Sequence, residues 1–184
     1  MRRISAGLTG AVLAVAMAAC TSAEPAPAPP AAAQQPAEPV AAGPADGCPL
    51  DVADLSAATS LTWELQQTLT DRPLETLPSV TATVCLFTSA DSPQFGGDPL
   101  VLRVDAVDGA DAGTLRNNFE QSCTGNGGAV EDSAGVARCR RDGSVVEGNV
   151  ATDGRSIDVY LVNADAATAT ALTPGFDEIL GSVR

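Results

Sequence analysis

Residues 136–163 read VARCRRDGSVVEGNVATDGRSIDVYLVN, and this stretch decides the fold. Asp142-Gly143 and Asp153-Gly154 each separate two runs in which apolar and polar residues alternate. Asp-Gly tolerates the positive φ angles of a two-residue turn whose twist suits a hairpin, so each pair predicts one. The expected strands are Val136–Arg141, Ser144–Thr152 and 155–163, joined as a meander. Counting outward from the first turn places Cys139 opposite Val146 and Arg138 opposite Glu147. From the second turn, Val150 faces Ile157, Gly148 faces Val159 and Val146 faces Leu161. Side chains alternate between faces. One face should then carry Cys139, Val146, Val150, Ile157, Val159 and Leu161, and the other Arg138, Arg140, Glu147, Asn149, Asp158 and Tyr160. Tyr160, Arg138, Arg140 and Glu147 make this polar side the candidate binding face.

Beyond the meander, Thr173 and Pro174 suit the cap and first position of a terminal helix with Phe176, Ile179, Leu180 and Val183 as its apolar stripe. Upstream, Val80–Thr88 and 100–107 alternate like strands. Leu61–Leu69 fits either period and is read as a strand. A short helix is expected at 51–59. A second opens on Asp111 as cap, with Leu115 and Phe119 on one face, and ends near Cys123. The predicted order is α-β-β-β-α-β-β-β-α: an α+β domain with an antiparallel sheet of about six strands and helices on one face.

The N-terminus carries a different message. Arg2 and Arg3 precede an apolar run that is too short to cross a bilayer and that closes on Ala18-Ala19-Cys20. The segment resembles a bacterial lipoprotein signal, which implies removal of residues 1–19 and lipidation (palmitate) of Cys20. The Arg pair lacks the following residues of a twin-arginine signal. Residues 20–46 form a spacer in which seven of the 13 prolines and ten alanines are concentrated. Such a chain is extended, with a reach of at most about 80 Å at ~3.1 Å per residue. Residues 47–184 are the right length for one domain.

Setting Cys20 aside leaves Cys48, Cys85, Cys123 and Cys139. An even set in an exported domain reads as two disulfides with three possible pairings, of which the sequential one, Cys48–Cys85 and Cys123–Cys139, is preferred. Their spacing fits no zinc motif.

All ten basic residues are arginine, and the chain has no lysine and no histidine. Leaving out Arg2, Arg3, Glu24, Glu38 and Asp46, residues 47–184 hold 20 acids against eight arginines, a net charge of −12. Such a surface repels nucleic acid. Without histidine or lysine, Ser-His-Asp, Cys-His, Ser-Lys and P-loop chemistry are excluded. A pair of carboxylates is the remaining catalytic option. Asp105, Asp108 and Asp111 around a turn do not match a calcium loop, and the Gly125–Gly128 run lacks the lysine and helix of a phosphate cradle. It reads as a flexible link. Trp63 reads as a core residue. No metal and no cofactor are expected.

The layout resembles small actinobacterial cell-envelope lipoproteins that carry a domain of unassigned function. The resemblance rests on Met17-Ala18-Ala19-Cys20, the Ala/Pro spacer, Cys48-Pro49-Leu50 before a short helix and Cys85-Leu86-Phe87 in a strand. Phe87 stands where such proteins often have Trp. The resemblance implies an antiparallel sheet with flanking helices and brings no catalytic residues. The leading expectation is a non-enzymatic binding or interaction module at the outer face of the cell membrane, anchored through lipid on Cys20. Its partner would be an envelope protein or a cell-wall component. The alternatives are a carrier of lipid or another apolar ligand, with a cavity between sheet and helices, and a carboxylate-based hydrolase.

Overall fold

A computed structural model describes residues 47–152 and 154–183. Residues 1–19, Cys20 and the spacer through residue 46 lie outside the described residues. The elements are α1 (Val52–Thr59), β1 (Glu64–Pro73), β2 (Thr81–Ser89), β3 (Leu100–Asp108), α2 (Ala112–Gly125), β4 (Ala129–Ser133), β5 (Val136–Arg141), β6 (Ser144–Thr152), β7 (Arg155–Leu161) and α3 (Ala166–Ser182). Short 3₁₀ turns precede β3 and α2. The strands form one antiparallel sheet in the order β1-β2-β3-β7-β6-β5-β4. The class is α+β, with two disulfides, as expected. The sheet has seven strands because residues 129–133 pair with β5 through a turn at Ala134 and Gly135, which both take positive φ. Among the described residues no helix is long and apolar enough to cross a membrane.

The helices occupy both faces, which corrects the expected one-sided arrangement. On one face α1 and α3 cover Cys85, Phe87, Leu100, Leu102, Val104, Ile157 and Val159, and Leu55, Phe176, Ile179 and Leu180 fill the space beneath them. On the other, α2 sets Phe119 and Cys123 against Ala137 and Cys139, and Leu115 joins Val84 and Val107. This side of the sheet is the more polar one, and α2 covers only part of it.

The second hairpin keeps its predicted register at Val150 opposite Ile157 and Gly148 opposite Val159, but the pairing ends at Glu147 opposite Tyr160 and the expected Val146–Leu161 pair is not formed. The first does not keep its register. Arg141 pairs with Ser144 and Arg140 with Val145, but Cys139 then pairs with Glu147 and Arg138 with Gly148. Val146 is the extra residue of a bulge, and one inserted residue exchanges the faces of everything beyond it on the partner strand. Cys139 therefore lies on the α2 side, where it meets Cys123. Arg138 and Arg140 lie on the α1/α3 side, where Arg138 pairs with Asp177 of α3.

The terminal helix also starts earlier than predicted. Asp165 caps it, its carboxylate accepting from the Thr168 amide at 2.7 Å, and Pro174 stands inside it. Thr173 is a stitch rather than a cap. Its hydroxyl donates to the Ala169 carbonyl at 2.8 Å and accepts from the Val145 amide at 2.9 Å, beside the bulge. Asp51 caps α1 by accepting from the Ala53 amide, whereas Asp111 precedes α2 without any side-chain cap bond. The disulfides are Cys48–Cys85 and Cys123–Cys139, with Cα separations of 6.1 and 5.6 Å. Gly128 belongs to a close passage over the second bridge: a Cβ there would stand 2.8 and 2.9 Å from the two sulfurs.

Candidate binding pocket

Beneath the uncovered part of the α2 face lies an open pocket of about 440 Å³. Its floor is made by β3, β6 and β7, whose registers bring Asp105 opposite Asp158, Asn149 opposite Asp158 and Glu147 opposite Tyr160. Side chains directly opposite on antiparallel strands have Cβ atoms about 4.5–5.5 Å apart. The floor is thus a contiguous patch of polar groups, walled on one side by α2. Asp105 is 5% exposed, Asp158 6% and Asn149 not at all.

These groups hold one another in place. Arg103 donates from Nε to Asp105 Oδ1 at 2.8 Å, and the Tyr160 hydroxyl donates to Oδ2 at 3.3 Å. The Arg103 guanidinium also lies 5.8 Å over the Tyr160 ring. Arg141 donates to Glu147 at 3.2 Å. The Asn149 amide donates to both Asp158 Oδ1 and the Ser156 hydroxyl, and its carbonyl accepts from Arg116 of α2 at 3.1 Å. Arg116 also pairs with Glu120 one turn along α2 and with Asp132 on β4, so one arginine ties the helix to the sheet at two points, Asn149 and Asp132.

Burial governs the acid–base state of the floor. Desolvation pushes the Asp158 carboxyl well above the usual range. The Asn149 hydrogen bond and Arg116 oppose the shift, and Glu147 and Asp105 add to it. Glu147 is raised by desolvation against the pull of Arg141, and Asp105 by desolvation against Arg103. Tyr160 is raised by desolvation, then by the negative charge of Asp105. A raised carboxyl pKa means that the folded state binds the proton more tightly than the unfolded one. Stability is then fullest below the unfolded pKa of ~3.9 and declines as pH rises through the folded value. An Asp158→Asn variant, which keeps the shape and removes the ionisation, is expected to melt higher than the wild type at pH 8 and with no gain at pH 4. A gain of equal size at both pH values would contradict the assignment.

The predicted candidate face is divided. Glu147 and Tyr160 line the pocket, while Arg138 and Arg140 sit on the opposite face and pair with Asp177 and Glu131. Asp105 and Arg141 join the first two as lining residues, and Arg103 reaches the site through its contacts with Asp105 and Tyr160. Asp105 does not cluster with Asp108 and Asp111. It faces Asp158, whereas Asp108 stands at the strand end near Arg155. Among the described residues no group of three or more acids and cysteines is placed to hold a metal ion. Trp63 is buried in the α1/α3 core and donates to the Thr59 hydroxyl at 2.8 Å. The chain matches no known protein family, no curated protein and no solved structure.

Proposed function

We propose that this chain is a lipid-anchored protein at the outer face of the cell membrane whose folded domain binds a small molecule in the α2 pocket without transforming it. The floor of the pocket carries the reading. Asp105 and Asp158, with Asn149 behind Asp158, are buried where apolar side chains would pack a helix onto a sheet at lower desolvation cost. A concave site of this size, with a few convergent polar groups and perturbed carboxyls, is what small-ligand binding requires.

Two physical arguments favour binding over the alternatives. Both oxygens of Asp105 are engaged, Glu147 is held by Arg141, and burial favours the uncharged form of Asp158, so no free ionised carboxylate stands ready as a nucleophile or base. For an apolar-ligand carrier, the space between the sheet and α1/α3 is filled by Phe87, Phe176, Leu102 and Ile179, and the pocket that does exist has a polar floor.

Native mass spectrometry of the full chain extracted from membranes tests the pocket. Ser122 lines it from α2. A bound small molecule should accompany the wild type and be lost from Ser122→Trp. An identical spectrum from both proteins would remove the pocket from the account. The anchor is tested by fractionation: Cys20→Ala should move the protein from the membrane pellet to the soluble extracytoplasmic fraction. Retention in the pellet would refute lipidation at Cys20.

A further inference from the structure

Building on the pocket reading above, we infer that the ligand is an uncharged, hydroxyl-rich molecule, a saccharide unit. The first argument is charge balance. Asp105 already has Arg103 at 2.8 Å and Glu147 already has Arg141 at 3.2 Å. An anionic ligand entering this site would give up its hydration and find both arginines already paired, and a cationic one would find only Asp158, whose burial favours the uncharged carboxyl.

The second argument is the hydrogen-bonding capacity left over. Asp158 lines the pocket at 6% exposure. One of its oxygens accepts from Asn149, and the other accepts no hydrogen bond among the described residues and is not wholly buried, so a ligand can reach it. Arg141, also lining the pocket, commits Nη2 to Glu147 while its buried Nε has no hydrogen-bond acceptor. Asn118 and Ser122 add polar groups along the α2 wall. Unsatisfied buried polar groups are costly, and a ligand that supplies partners for them gains by doing so. A hydroxyl both donates and accepts, so a polyol satisfies a mixed set of this kind where an ammonium or a carboxylate satisfies only one sign. A protonated Asp158 carboxyl, favoured by its burial, is likewise both donor and acceptor. Leu115, Phe119, Leu161 and Val162 supply apolar walls for the C–H face of a sugar ring.

Calorimetric titration of the full chain in detergent with sugars of one ring shape and three charges tests this. The probes are glucose and N-acetylglucosamine (neutral), glucosamine (cationic) and glucuronate (anionic). A neutral sugar should bind at least about ten-fold more tightly than both charged ones. Asp158→Asn, which retains a donor and an acceptor, should hold that affinity within about three-fold, and Asp158→Leu should lose at least about ten-fold. Ser122→Trp, which leaves the floor intact, should abolish binding with little change in melting temperature, and it carries the test should Asp158→Leu fold poorly. Preference for glucosamine or glucuronate, still blocked by Ser122→Trp, overturns the ligand class and leaves the pocket standing. Binding indifferent to Ser122→Trp overturns the pocket as well. No binding of any of the four sugars overturns the saccharide inference, and the pocket is then decided by the co-purified ligand.

Discussion

A Cys48→Ala/Cys85→Ala double variant is expected to lose about 4 kcal/mol of unfolding free energy, against about 3 kcal/mol for Cys123→Ala/Cys139→Ala. The two bridges close 37 and 16 residues of sequence, and the longer loop removes more entropy from the unfolded chain. Either loss is a large share of the ~5–15 kcal/mol that holds a domain of this size. The first bridge also fixes the segment that enters α1 to the centre of β2, where Cys85 is fully buried. Leu50, Leu55 and Trp63 pack in that corner. Trp63 is the single tryptophan, so its emission reports directly on whether α1 remains seated. Guanidinium unfolding of the two variants, followed by this signal and by circular dichroism, measures the effect. A loss below about 1 kcal/mol from the first bridge, or a reversed order, would show that loop entropy does not govern these disulfides.

The parts of the fold that were legible in sequence are those fixed by local rules. The β6–β7 pairing has no bulge, so counting outward from its turn gives Val150 opposite Ile157 and Gly148 opposite Val159 correctly and fails only at Val146 and Leu161, beyond the last pair. Asp142-Gly143 obeys the same turn rule, yet the count holds for two pairs and fails at Val146. The trace of that failure is visible in residues 144–150. Val145, Gly148 and Val150 all point to the α1/α3 core, and the odd interval between Val145 and Gly148 breaks the period of two. Two consecutive valines conceal the break, because either of them satisfies an apolar position. Thr173-Pro174 misled for a similar reason: it is a strong local start signal inside a helix that Asp165 had already capped. Tertiary contact explains the override, since Thr173 is occupied by the backbone of β6.

The candidate site was legible only in part. Alternation placed Glu147, Asn149, Asp158 and Tyr160 on one face, and the structure keeps them there. A polar face by itself reads as solvated. What makes it a pocket is α2 lying over its edge and the pairing of β3 with β7, which adds Arg103 and Asp105. Neither has a local sequence signature, because strand order in a sheet is a long-range choice. The Cys123–Cys139 bridge was the available clue. A helix joined to β5 through Cys139 must lie on the face to which Cys139 points, and the bulge decides which face that is.

Gly175→Val is expected to cost about 3 kcal/mol, at the upper end of the range for overpacking. A Cβ at this position of α3 would overlap the carbonyl oxygen of Ala58, near the end of α1. The opposing atom is backbone, so no rotamer change relieves the clash and the helices must separate. Two other glycines calibrate the result. At Gly148 a Cβ would meet the Leu180 side chain at 2.6 Å, and a flexible partner can turn aside, so Gly148→Ala should cost about 1 kcal/mol. At Gly181, also in α3, nothing lies within 4 Å, and Gly181→Ala should gain up to about 1 kcal/mol through helix propensity. The consequence reaches beyond α3, because α1 has eight residues and Leu55 is the one it buries fully. A helix this short depends on its neighbour for stability. Gly175→Val should therefore shift Trp63 emission to longer wavelength before the sheet unfolds, whereas Gly148→Ala should leave it unchanged until the global transition. A single cooperative loss of both signals in Gly175→Val would show instead that α1 and the sheet form one folding unit.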